Sequence, residues 1–172
     1  FATIFGLKRF SSKLFLEKYF AHKAGLYVYG DPAGRSEDGR TERGENAFRL
    51  ISSALENMRP TLRIQPKAPA VKTRKDWINA IFKYEEQNMS IIISDKCTHL
   101  ISDLSYLKEA SDGTKHKQKI RDSETDVPYE KYGHFSDGMD YLLTTAYAAN
   151  YEKFQSGGLS FIPKHGKNIR KH

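Results

Sequence analysis

"GLYVYGDPAGR", residues 25–35, decides how the chain is read. Leu26 to Tyr29 form a near-continuous apolar and aromatic run, the pattern of a short strand buried on both faces. The run stops at Gly30-Asp31-Pro32-Ala33-Gly34. Pro32 restrains the turn, and Gly34 lets the backbone bend or approach a ligand closely. Asp31 thus stands at a strand end, and two readings are open. It is an Asx-type turn residue bonding its own backbone, or a carboxylate held for chemistry, since sites in open α/β sheets gather at the carboxyl ends of strands.

Working outward, "FATIFGL" (1–7) reads as a strand and "SSKLFLEKYFAHK" (11–23) as a helix. Residues 35–44 are polar and Gly-punctuated, hence loop. Ala47, Leu50, Ile51, Ala54, Leu55 and Met58 make an amphipathic helix stopped by Pro60. "TLRIQ" (61–65) is the next strand, and "VKTRKDWINAIFKYEEQ" (71–87) a helix with Trp77, Ile78, Ile81 and Phe82 on one face. "SIIIS" (90–94) is the clearest strand, ending at Asp95. "THLISDLSYLKEA" (98–110) is a helix with Leu100, Ile101, Leu104 and Leu107 inward. Residues 111–133 are a charged loop or hairpin, placed to gate access to a cleft. "HFSDGMDYLLTTAYAANYEKF" (134–154) is the last helix. The alternation from residue 25 predicts an α/β protein with parallel strands and right-handed crossovers. One domain is expected over residues 1–155, followed by a loose basic tail over 156–172.

The chain has 172 residues, 38% of them hydrophobic and 12% aromatic, which excludes wholesale disorder. No apolar run approaches the ~20 residues of a membrane span, and no leader is expected. The start at Phe1, without Met, suggests a piece of something longer. Cys97 is the only cysteine, which excludes an internal disulfide and a cysteine-based zinc site; it reads as a buried strand-end thiol. Neither a Walker A loop, nor GxGxxG, nor HExxH occurs.

A net charge of +7 points to a polyanion. Arg63, Lys67, Lys72, Arg74 and Lys75 form one basic cluster, and Lys115, Lys117, Lys119 and Arg121 another. Lys67, Lys72, Arg74, Lys115, Lys117 and Lys119 are the candidate contacts to DNA phosphates.

"GHFSDGMDYLL" (133–143) is the second constellation. His134, Asp137 and Tyr141 follow at i, i+3 and i+7, roughly one helix face, with Asp140 beside it. Aspartates that favour a helix dipole are one reading. The other is a metal site, because Mg²⁺ and Mn²⁺ take carboxylate oxygens. Two such ions ~3.5–4 Å apart support phosphodiester hydrolysis. Asp31 and Asp137 are the natural pair, with Asp140 and His134 as supporting candidates.

Together these stretches resemble the C-terminal nuclease domain of the tailed-phage terminase large subunit. The likeness rests on "GDPAG" (30–34), "APAVKTRKDWINAIF" (68–82), "IIISDKCTHLISDL" (91–104) and "GHFSDGMDYLL" in that order, across residues 25 to 150. It implies an RNase H-like mixed sheet flanked by helices and a Mg²⁺- or Mn²⁺-dependent endonuclease that cuts concatemeric double-stranded DNA during viral packaging. Asp31 would be the second acid of a catalytic trio and Asp137 the third. Gly138 and Met139 stand where the family has Ala-Leu. The family's first acid lies on an upstream strand; here the only acid before Asp31 is Glu17, off the apolar face of its helix, so the first strand is expected to lie outside this chain. The implied partners are a packaging ATPase domain of the same polypeptide, a portal and a small terminase subunit, in the host cytoplasm. Two rivals are a non-catalytic DNA-binding or docking fragment of the motor, and another RNase H-like nuclease of resolvase or transposase type.

Overall fold

The computed structural model describes residues 12–37, 44–86 and 88–157, so the predicted strand at 1–7 and the tail beyond Gly157 lie outside the described residues. Helix α1 spans Ser12–Tyr19 and strand β1 spans Leu26–Val28. A short 3-10 turn, Pro32–Arg35, follows at once. Helix α2 covers Ala47–Ala54, capped by Asn46, whose side chain accepts the Phe48 and Arg49 N–H groups. The predicted helix to Met58 breaks at Leu55 into a second 3-10 turn over Glu56–Met58, and Arg59 takes a left-handed conformation before Pro60. Strand β2, Pro60–Leu62, then lies parallel to β1, with Tyr27 opposite Thr61. This is the parallel strand–helix–strand order the sequence predicts, reduced to two strands.

Helix α3 spans Val71–Phe82 and α4 spans Thr98–Tyr106. The charged segment predicted as loop or hairpin is two antiparallel ladders. Strand β3, Lys108–Glu109, pairs with β4, Lys115–His116, and β5, Lys119–Arg121, pairs with β6, Pro128–Glu130. Helix α5, His134–Ala146, and helix α6, Ala148–Gln155, replace the single last helix, with the break at Tyr147.

The architecture is mixed α/β, with three two-stranded sheets among the described residues. Three expectations are overturned: the strand at 90–94, the burial of Cys97, and the inward packing of Ile101 and Leu104, which are exposed. Residues 90–94 are not a strand, although Ile91 and Ile93 are half-buried and Ile92 is 94% exposed. The period-2 pattern is present, but no described strand lies beside it to complete a ladder, and an isolated extended segment does not count as sheet. Asp95 consequently sits in an exposed turn, not at a strand end. Cys97 is exposed at the start of α4, not buried.

Two apolar clusters hold these elements. Leu26, Val28, Phe48, Ile51, Leu55 and Met58 form the first, with Phe15, Leu16 and Ile64 against it. Trp77, Ile78, Ile81, Met139 and Tyr151 form the second, with Ile91, Leu100 and Leu143 alongside. Trp77 and Leu55 are fully buried, each the kind of side chain worth about 1.5–3 kcal/mol of transfer free energy. A thread of polar contacts joins the two clusters. The Gln65 amide donates to the Thr144 carbonyl at 3.0 Å, tying the exit of β2 to α5. No helix among the described residues is long and apolar enough to cross a membrane.

Candidate active site

The "GDPAG" turn is built around an aromatic ring. A Cβ added at Gly30 would meet Phe48 Cε1 at 3.2 Å, and one at Gly34 would meet Phe48 Cε2 at 3.0 Å. Both glycines let the backbone pass over the buried Phe48 ring, so the close approach at Gly34 is to the protein's own core and not to a ligand. Asp31 caps the 3-10 turn: its Oδ1 accepts the Ala33 N–H at 2.9 Å. Arg35 donates to the Ile64 and Gln65 carbonyls at 2.8 and 3.1 Å, which fixes the turn against the end of β2. The Asx-type role is therefore real. The turn engages only Oδ1, and Asp31 is exposed.

Asp31 also reaches α5. Burial pushes the Tyr141 hydroxyl above its ordinary pKa; Arg74 opposes that, and a hydrogen bond with the Asp31 carboxylate adds to it. Tyr141 in turn lies under Arg74, whose guanidinium carbon is 4.6 Å from the ring centroid. Arg74 Nη2 donates to Asp137 Oδ1 at 3.2 Å and Nε to Asp140 Oδ2 at 3.1 Å. The two sequence motifs thus meet through one tyrosine and one arginine.

The carboxylates of α5 are closely surrounded by cations. Lys115 Nζ donates to Asp140 Oδ2 at 2.6 Å, to Asp137 Oδ1 at 3.1 Å and to Ser136 Oγ at 3.1 Å. Lys117 Nζ bridges Asp137 Oδ2 at 2.7 Å and Glu130 Oε2 at 3.0 Å. His134, exposed, lies 3.8 Å from the same Glu130 oxygen. The residues pull in different directions electrostatically. Burial would raise Asp137, but Lys115 and Lys117 hold it below the ordinary carboxylate value. Asp140 is 2% exposed, and burial carries it above that value against the pull of Lys115 and Arg74. Arg74 and Lys117 are both pushed up: burial opposes their charge and the acidic partners outweigh it.

These contacts redistribute the predicted phosphate-binding set. Arg74 and Lys115 are turned inward onto aspartates, with side chains 4% and 8% exposed, so neither presents a free cation at the surface. Lys117 is 30% exposed and only partly committed. Lys72 is exposed but pairs with Asp76 at 2.8 Å. Lys67 and Lys119 are exposed and have no ion pair among the described residues.

Asp103 is the residue that sequence reading missed. It is buried on α4, and its Oδ2 accepts the Phe135 and Ser136 N–H groups at 2.8 and 3.0 Å. It supplies from another helix the cap that Gly133 cannot give to α5, and so fixes the turn that carries Asp137. The signal was an acid at an otherwise apolar helix face, at i+4 from His99 and three residues before Tyr106.

Asp31 and Asp137 are hard oxygen donors on separate elements. They fit in kind one hydrated Mg²⁺, which binds through one or two carboxylates and keeps waters or phosphate oxygens elsewhere. Among the described residues, no group of three or more His, Cys, Asp or Glu side chains gathers as a metal cluster. No protein-family model matches the chain, and neither a curated protein nor a solved structure matches it.

Proposed function

We propose that the chain is a metal-dependent endonuclease domain acting on double-stranded DNA, of the RNase H-like kind found in the large subunit of viral packaging terminases. One observation carries the reading. Asp31 of "GDPAG" acts electrostatically on Tyr141, whose ring lies under the same Arg74 that donates to Asp137 of "GHFSDGMDYLL", more than a hundred residues away in the chain. The motif order described from the sequence supports the family; the +7 charge and the free Lys67 and Lys119 support a polyanionic substrate.

In this reading Asp31 and Asp137 hold a divalent cation, Mg²⁺ or Mn²⁺. When bound, the ion supplies Lewis-acid activation of water and stabilises charge on the phosphoryl oxygens. A second ion would draw on the upstream acid that the resemblance implies. Arg74 and Tyr141 position the two carboxylates, and Asp103 fixes the first turn of α5. Lys115 and Lys117 neutralise Asp137 and Asp140, and Lys117, the more exposed of the two, is placed to turn from carboxylate to phosphate. The packaging ATPase domain, portal, small subunit and host-cytoplasm setting belong to the same proposal.

Nicking of supercoiled plasmid with Mg²⁺ or Mn²⁺ tests it. Asp31→Asn and Asp137→Asn are expected to lose cleavage, while Asp126→Asn, on an exposed turn of the β5–β6 hairpin, keeps it. Wild-type cleavage by either of the first two, once circular dichroism shows them folded, would remove the two-carboxylate site.

A further inference from the structure

Helix α4 and the chain entering α5 carry a second group of side chains that the carboxylate site does not use. His99 stacks on Phe135, with centroids 5.1 Å apart and planes 11° from parallel. Tyr106 leans on Tyr132 at 5.6 Å and 31°. His99, Asp103 and Tyr106 follow at i, i+4 and i+7, so they share one face of α4. Asp103 is buried between the two ring pairs, where it accepts the Phe135 and Ser136 N–H groups. The cap that fixes the Asp137 turn therefore also sets one aromatic pair on each side of it.

Three of these four rings are at the surface, and Tyr132 is half-buried. Tyr106 is 62% exposed and Phe135 37%, and His99 is exposed as well. Rings of this size are ordinarily core material, and stacked pairs left in water offer flat π-faces for a further ring. The charge around them is positive. Lys131 Nζ stands 5.2 Å from the Tyr132 centroid. Lys108, next but one to Tyr106, is exposed and, like Lys131, has no ion pair among the described residues. The acids on these elements are committed elsewhere: Asp103 to backbone amides, Glu130 to Lys117 and Glu109 to Lys75.

We propose that this face binds an unpaired strand of nucleic acid, with bases stacking on the His99–Phe135 and Tyr106–Tyr132 pairs and Lys108 and Lys131 meeting its phosphates. Aromatic platforms lined by cations are the usual means of holding single strands without sequence preference. A protein-docking patch is the other occupant for exposed aromatics, but the cores of such patches are depleted in lysine. The inference deepens the nuclease reading and rests on it for the kind of nucleic acid. It places a frayed strand beside the turn of α5 that carries Asp137.

The test is fluorescence anisotropy with a labelled oligo-dT of about 12 nucleotides, within the site sizes such surfaces cover, in EDTA and without turnover. Tyr106→Ala and His99→Ala are each expected to weaken binding about 5- to 150-fold, the range that base stacking spans on removal of a ring. Tyr106→Phe, which keeps the ring, is expected to bind as the wild type, and a duplex of the same length is expected to be insensitive to all three. Ring variants that bind oligo-dT as tightly as the wild type overturn the proposal. Ring-dependent self-association with ring-independent oligonucleotide binding also overturns it and assigns the face to protein contact. Because the measurement needs no cleavage, a chain that fails to cut DNA leaves it standing.

Discussion

Replacing Arg74 by Met removes the side chain that ties Asp137, Asp140 and Tyr141 of α5 to the chain entering α3. The guanidinium gives three hydrogen bonds, to Asp137 at 3.2 Å, Asp140 at 3.1 Å and the Pro69 carbonyl at 3.2 Å, and covers the Tyr141 ring. Breaking a buried ion pair by deleting one partner costs about 3–5 kcal/mol, because the other charge stays buried. Lys115 remains on both aspartates, so the lower end of that range, about 3 kcal/mol, is expected. For a chain of this size a loss of that order lowers the melting temperature by about 6–12 °C. Thermal and urea unfolding followed by circular dichroism at pH 7, in EDTA, measures it. Asp140→Asn, alone and combined with Arg74→Met, completes a cycle, and a coupling of about 0.5–3 kcal/mol is expected for groups in direct contact. A single variant within about 1 kcal/mol of the wild type, or strict additivity in the cycle, would refute a desolvated Arg74–Asp140 pair.

Lys117→Gln removes one of the cations that depress Asp137, so its carboxyl moves back toward the ordinary value of about 3.9. A depressed carboxyl stabilises the fold above its unfolded pKa, and that contribution disappears as pH falls through the lower folded value. The variant is therefore expected to unfold at higher pH than the wild type in an acid titration below about pH 5; an unchanged midpoint would show that Lys117 does not set the charge on Asp137. Asp103→Ala leaves one buried and one part-buried N–H group without that acceptor and is expected to cost about 1–3 kcal/mol, with faster hydrogen exchange confined to the first turn of α5. Gly34→Ala drives a methyl to 3.0 Å from the Phe48 ring, and is expected to destabilise by about 1–3 kcal/mol in thermal unfolding.

Residues that announce themselves locally were legible in the sequence. The apolar run of β1, the amphipathic face of α2, and the buried face of α3 through Trp77, Ile78 and Ile81 each follow from pattern alone. The motif spacing also named Asp31 and Asp137, which meet through Tyr141. What sequence could not supply was pairing. "SIIIS" has the composition and alternation of a strand, yet a strand exists only beside another, and that partner is a long-range fact. The same limit applied to charge. Arg74, Lys115 and Lys117 read as a basic surface, because composition counts cations without saying which acids they face. Asp103 was invisible for a related reason: a cap normally precedes its own helix, and this one comes from a neighbour.

The charge balance at the site follows from that packing and bears on its chemistry. Asp137, Asp140 and Glu130 face Arg74, Lys115 and Lys117, so the cluster is neutral when all six are ionised. Carboxylates brought this close without cations would repel, and burial would push at least one toward its neutral form. With the cations in place Asp137 stays ionised and oriented. In the proposed nuclease reading, a divalent ion held by Asp137 would leave Lys117 as surplus charge, free to pair with a substrate phosphate instead of the carboxylate. Lys117, long and part-exposed, can make that exchange with little rearrangement, whereas Lys115, locked between Ser136, Asp137 and Asp140, cannot. Removing Lys117 is therefore expected to weaken the salt dependence of DNA binding by about one counterion, and Lys115→Met to destabilise the fold instead. Log–log salt titrations of DNA affinity, read beside thermal unfolding, separate the two lysines; equal salt slopes for the wild type and Lys117→Gln would leave Lys117 a purely structural partner of Asp137.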